Sequence, residues 1–276
     1  MNLDNSEKMI FQEFSFESFG VKFSILFSSE DEKRIEKILI CGLGGCYKSL
    51  HTCDDPDIFV KVINKTGSSD LFINDELIFS GTKEDVFSVL ESTIRREIST
   101  RAREVFVHAG VVGWKGEAIM FPGFSYKGKT SLVMELVRLG AEYYSDEFGI
   151  INQQGLVVPF PKFLSVRGII DDRKQVDISV AEIGGTIGKS PIPIGLVLIT
   201  EYRPDAVWKP KQLSKAKGLL EIISHAAPFT DNPEKTLRVL EKSLEHARII
   251  KSFRGEASVT AKKILQLIEA GRGEKN

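Results

Sequence analysis

Gly123-Phe124-Ser125-Tyr126-Lys127-Gly128-Lys129-Thr130 decides how this chain is read. It matches the G-x-x-x-x-G-K-[ST] pattern of a phosphate-binding loop, which is informative only between a strand and a helix. Both flanks qualify. Ala118-Ile119-Met120-Phe121 is an apolar, strand-like run that leads straight into the loop. From Ser131 to Leu139, Leu132, Met134, Leu136 and Val137 fall at helical spacing, and Gly140 supplies a left-handed C-cap. Gly123 and Gly128 permit backbone angles and close approach that a side chain would block. The N–H groups across Phe124, Ser125, Tyr126 and Lys127 can then turn inward around phosphate oxygens. Lys129 brings a flexible positive charge to the β and γ phosphates, and the Thr130 hydroxyl can ligate Mg²⁺. The helix entered at Thr130 and Ser131 points its positive end at the same anion.

Such a loop needs a carboxylate for the metal and, for transfer to a hydroxyl, a group that orients or deprotonates that hydroxyl. Asp146 and Glu147, 16 and 17 residues beyond Thr130, are the candidates. They follow the extended Glu142-Tyr143-Tyr144-Ser145, which returns the chain to the loop by a crossover. Neighbours on a strand face opposite sides, but at a strand end both can reach one site, one on the metal and the other as base. Upstream, Val105-Phe106-Val107-His108 is a second strand, separated from 118–121 by a turn around Trp114-Lys115-Gly116.

Residues 1–100 form a mostly β domain and residues 101–276 the phosphate-loop domain, so the fold expected is α/β in the α+β sense. In the first part, Val21 to Phe27 and Ile58 to Ile63 are strands, and Asn64 to Asp70 reads as a turn. Asn74-Asp75 turns a hairpin between Leu71-Phe72-Ile73 and Leu77-Ile78-Phe79. Val86, Val89, Leu90, Ile94 and Ile98 then mark an amphipathic helix. Ile194 to Thr200 is a buried strand, and helical segments close the chain over about 212–225, 233–250 and 257–269. Cys41, Cys46, His51 and Cys53 have no usual zinc spacing, and Gly42-Leu43-Gly44-Gly45 reads as a bend. His225 and His246 fall on helical segments and read as solvated groups rather than ligands.

Of the 276 residues, 42% are hydrophobic and 27% charged, the balance of a folded globular chain. Lys plus Arg number 37 against 38 Asp plus Glu, so no broad field favours nucleic acid or an anionic membrane. The first residues lack a secretory pattern, and three cysteines fit a reducing compartment, so a cytoplasmic location is expected.

Val107-His108-Ala109-Gly110-Val111, the loop 123–130, Ser145-Asp146-Glu147 and Leu164-Ser165-Val166-Arg167-Gly168-Ile169-Ile170 occur in an order and spacing that resemble the catalytic domain of HPr kinase/phosphorylase. The resemblance covers about residues 104–200. It implies a phosphate-loop fold with a mixed sheet, akin to phosphoenolpyruvate carboxykinase, followed by C-terminal helices. It also implies transfer from ATP, with Mg²⁺, to a seryl hydroxyl. By the match, His108 lies near the phosphates, Asp146 and Glu147 correspond to paired aspartates, and Arg167 opens an arginine-glycine signature. Tyr126 stands where the family has a second small glycine, and Glu147 replaces an aspartate. Lys189 to Ile194 contains no arginine where HPr-specific enzymes have an arginine-rich loop. The acceptor implied is therefore a peptide or small protein other than HPr. A nucleotide-binding adaptor without turnover, or a small-molecule kinase of the free-serine type, uses the same loop, and a homo-oligomer is compatible with the sequence.

Overall fold

Alternation builds the first part of the chain. Val21, Phe23, Ile25 and Phe27 are buried on one strand and Ile58, Val60 and Val62 on another, the period of a sheet with one covered face. The computed structural model describes residues 10–123, 128–167 and 175–273. It divides into two compact units, Met1–Ala102 and Arg103–Asn276. The whole is α+β, with mixed sheets and C-terminal helices.

The first unit contains β1 (Phe11–Ser18), β2 (Val21–Ser28), α1 (Glu32–Lys37), β3 (Lys48–Leu50), β4 (Ile58–Lys65), β5 (Ser68–Ile73), β6 (Glu76–Gly81) and α2 (Lys83–Arg101). Its six strands lie in the order β3-β1-β2-β4-β5-β6. Asn74 and Asp75, both at positive φ (48° and 67°), form the tight turn that matches strand twist in a two-residue hairpin. The turn expected over Asn64 to Asp70 shrinks to Thr66-Gly67, because β4 and β5 continue to Lys65 and from Ser68. Asn64 is buried there: its amide donates to Asp31 Oδ2 at 2.7 Å and accepts from Ser69 Oγ at 2.8 Å. α2 opens on Thr82, whose hydroxyl accepts from the Asp85 N–H, and it buries Val86, Leu90, Ile94 and Ile98. Gly44 and Gly45 take left-handed angles in a bend, and all three cysteines are free. Burial pushes the Cys46 thiol up to about 11, which opposes the thiolate a metal would need.

The second unit runs β7 (Val105–Trp114), β8 (Glu117–Pro122), α3 (Lys129–Arg138), β9 (Glu142–Ser145), β10 (Phe148–Ile151), β11 (Val157–Val158), β12 (Leu164–Arg167), β13 (Gln175–Ile178) and β14 (Thr186–Ile187). It continues through β15 (Ile194–Tyr202), β16 (Lys211–Gln212), α4 (Lys215–Ile223), α5 (Pro233–Leu244), β17 (Arg248–Arg254) and α6 (Ala257–Gly273). The main path is β11-β10-β7-β8-β15-β17-β16, with β9 paired to β7 and β14, and β12 and β13 form a separate ribbon. β8, β15 and β17 are mutually parallel, and α3 and α6 pack on one face of this sheet while α4 and α5 pack on the other. The strand expected over 105–108 runs on to Trp114, since Lys115 and Gly116 alone supply the turn into β8.

One expected helix is wrong at its end. α5 stops at Leu244, and 248–254 is a strand rather than the tail of a helix over 233–250. Ile249, Ile250, Ser252 and Arg254 are buried on β17, two of them polar, so the inner positions are not an unbroken apolar set. The 212–225 segment likewise splits into the short edge strand β16 and α4, which ends at Ile223. No helix among the described residues is long and apolar enough to cross a membrane.

Candidate phosphate-transfer site

β8 ends where the glycine loop begins, at the carboxyl end of a parallel pair, the usual side for ligands in open α/β sheets. Gly123 N–H donates to the His108 carbonyl at 2.9 Å, tying the start of the loop to β7. Phe124, Ser125, Tyr126 and Lys127 lie outside the described residues. At the far end, Gly128 takes a left-handed conformation (φ 72°) as the N-cap of α3, with no side-chain cap and no acidic residue in the first turn. The positive end of the helix therefore faces the loop without local neutralisation from that turn. Gly110 on β7 makes room for it: a Cβ there would stand 2.7 Å from Val133 Cγ2 and 3.6 Å from Lys129 Cβ.

Lys129 and Thr130 follow directly, while Ser131 points outward and is exposed. Burial draws the Lys129 ammonium below its ordinary value, against the opposing pull of Asp146 and Glu147. An anion brought to it would be met by a poorly solvated cation, where attraction is strong. Thr130 Oγ1 donates to Asp146 Oδ2 at 3.1 Å. These two hard oxygen donors suit Mg²⁺, which is held by one or two protein oxygens and keeps waters and phosphate oxygens for the rest.

Asp146 and Glu147 lie between β9 and β10, which together run antiparallel to β7. Tyr143 and Tyr144 are both buried, in different clusters, as neighbours on a strand covered on both faces are, and the pairing with β7 shifts by one residue at Tyr144. Asp146 is 5% exposed. Its Oδ2 also accepts from the Ser165 N–H at 3.3 Å, and its Oδ1 lies 3.1 Å from the Tyr143 hydroxyl. That hydroxyl also reaches the Lys162 carbonyl at 2.9 Å, so its one proton serves either acceptor. Burial and the neighbouring Asp146 push the Tyr143 phenol well above its ordinary value, keeping it a donor. The Glu147 side chain is partly open, at 24% exposure, while its carbonyl accepts from the Ala109 N–H.

Three residues without a sequence signature complete the site. Lys162, 4% exposed, places its ammonium 3.5 Å from Asp146 Oδ1 and 3.3 Å from Glu147 Oε2. Arg254, at the end of β17, donates to the Gly128 carbonyl at 2.8 Å across 126 residues of sequence. His225 lies beyond α4 rather than on a helix, and its carbonyl accepts from the His108 N–H at 2.8 Å. Burial first, then the neighbouring His108 and Lys129, holds the His225 imidazole below its ordinary value. His108 itself is partly buried, its ring 4.6 Å from that of Phe148. Arg167 ends β12, paired with Gln175, and its side chain, like Gly168 to Lys174, lies outside the described residues. The fold thus gathers Lys129, Thr130, Asp146 and Glu147, with His225 near enough to His108 and Lys129 to respond to both. No protein-family model and no curated protein matches this chain.

Proposed function

We propose that the chain is a Mg·ATP-dependent phosphotransferase acting on a hydroxyl, a serine of a peptide or small protein other than HPr. The contact between Thr130 Oγ1 and Asp146 Oδ2, beside a half-buried Lys129 at a left-handed glycine, carries this reading. Those are the parts a phosphoryl donor requires: a cation for its tail, two oxygens for its metal, and a helix end for its charge. Bound Mg²⁺ would neutralise charge developing on the transferred group.

The chain's own residues have separable tasks in this reading. Lys129, with the loop from Gly123 to Gly128, holds the phosphates, and Thr130 with Asp146 holds the metal. Asp146 is 5% exposed with Oδ2 turned to Thr130, whereas the Glu147 side chain is 24% exposed, so Glu147 is the group that orients the acceptor hydroxyl and takes its proton. The acceptor oxygen bonds to the γ-phosphorus as the bond to the β-phosphate oxygen breaks. The family resemblance assigns His108 to the phosphates, and Arg167, in the arginine-glycine signature, to phosphate or substrate.

The test is transfer of label from γ-labelled ATP to a peptide or protein acceptor, abolished in Lys129→Ala and Asp146→Asn. Mg·ATP binding with no labelled acceptor would mark an adaptor instead, and a labelled metabolite a small-molecule kinase.

A further inference from the structure

We propose that Lys162 is a positioning residue that divides the work of the two adjacent carboxylates, an inference that rests on the phosphotransferase reading above. Its ammonium touches both acids through one oxygen each, Asp146 Oδ1 and Glu147 Oε2. It is itself fixed by the Phe163 carbonyl at 2.9 Å and by Ser165 Oγ at 3.1 Å. Asp146 is thereby held with Oδ2 turned to Thr130 and Oδ1 turned away, toward Lys162 and Tyr143. Two carboxylates side by side would otherwise repel each other and compete for the same cation. One ammonium between them removes the repulsion and fixes which oxygen faces the metal position. Ser165 locks the arrangement from the other side: its N–H donates to Asp146 Oδ2 and its hydroxyl lies 3.3 Å from Asp177 Oδ1. The β12–β13 ribbon that ends in Arg167 is thus tied to the metal carboxylate.

Groups of this kind behind a metal ligand commonly change metal affinity by about ten- to a hundredfold when removed. The readout is the ratio of ATP affinity with Mg²⁺ to that in chelator, by calorimetry, for wild type, Lys162→Met and Ser165→Ala. The ratio is expected to fall by about tenfold or more in Lys162→Met and by a smaller factor in Ser165→Ala. A merely structural role would weaken both affinities alike and leave the ratio unmoved. Tryptophan fluorescence reports whether each variant is folded, and if Lys162→Met is not, Ser165→Ala decides. An unmoved ratio in the folded variants, with Mg²⁺-dependent binding in wild type, overturns the positioning role alone. A wild type that binds no nucleoside triphosphate overturns the phosphotransferase reading and this inference together.

Discussion

Replacing Gly128 by alanine should unsettle the second unit for two reasons that can be separated. Gly128 sits at φ 72°, where an L-residue costs about 1–2 kcal/mol. A Cβ built there would also stand 2.3 Å from Arg254 Nη2, closer than real contacts allow. A long side chain usually swings aside cheaply, but Arg254 is 2% exposed and donates to the Gly128 carbonyl. Losing that charge-assisted bond costs about 1.5–3 kcal/mol, so the two together amount to about 2.5–5 kcal/mol. The chain's two tryptophans, Trp114 and Trp208, both lie in Arg103–Asn276, so urea unfolding followed by their fluorescence reports on this unit. In an Arg254→Met background the cost of Gly128→Ala should shrink to the backbone share, about 1–2 kcal/mol. A loss below about 1 kcal/mol in the parent would refute both the left-handed backbone and the buried arginine contact.

Tyr143→Phe removes the hydroxyl shared by Asp146 and the Lys162 carbonyl, and should cost about 1–3 kcal/mol in the same urea assay while lowering phosphate transfer. His225 is held below its ordinary value of 6.5, so the fold prefers the neutral ring and the unfolded chain takes the proton first. Stability from this group is therefore complete above 6.5 and lost as pH falls from there through the folded value. Thermal melts between about pH 7.5 and 5.5 should show a shallower acid loss in His225→Gln than in wild type. Equal slopes would show that this ring carries no linkage.

The parts of the fold legible in the sequence were those set by local chemistry. Asn74-Asp75 is a turn because few other pairs accept two positive φ angles, and α2 follows from its apolar spacing and its Thr82 cap. β17 was illegible for the converse reason. Arg254 and Ser252 occupy inner positions that a strand pattern would give to apolar residues, and the helical reading of 233–250 took in the first three residues of the strand, Arg248 to Ile250. The glycine loop and the Asp146-Glu147 pair could be found because their residue types recur at a fixed offset. Lys162, His225 and Arg254 reach the site through pairing and packing of distant segments, so no spacing announces them. Lys162 carries one faint signal, a lysine between two apolar neighbours, Pro161 and Phe163.

The central claim is that the half-buried ammonium of Lys129 and the helix end behind it form a seat for a triphosphate. Calorimetric titration of the purified chain with Mg·ATP measures this directly. Saturable one-to-one heat in wild type, lost in Lys129→Ala, is the expected result. No heat from any nucleoside triphosphate or diphosphate, or heat unchanged in Lys129→Ala, would contradict it.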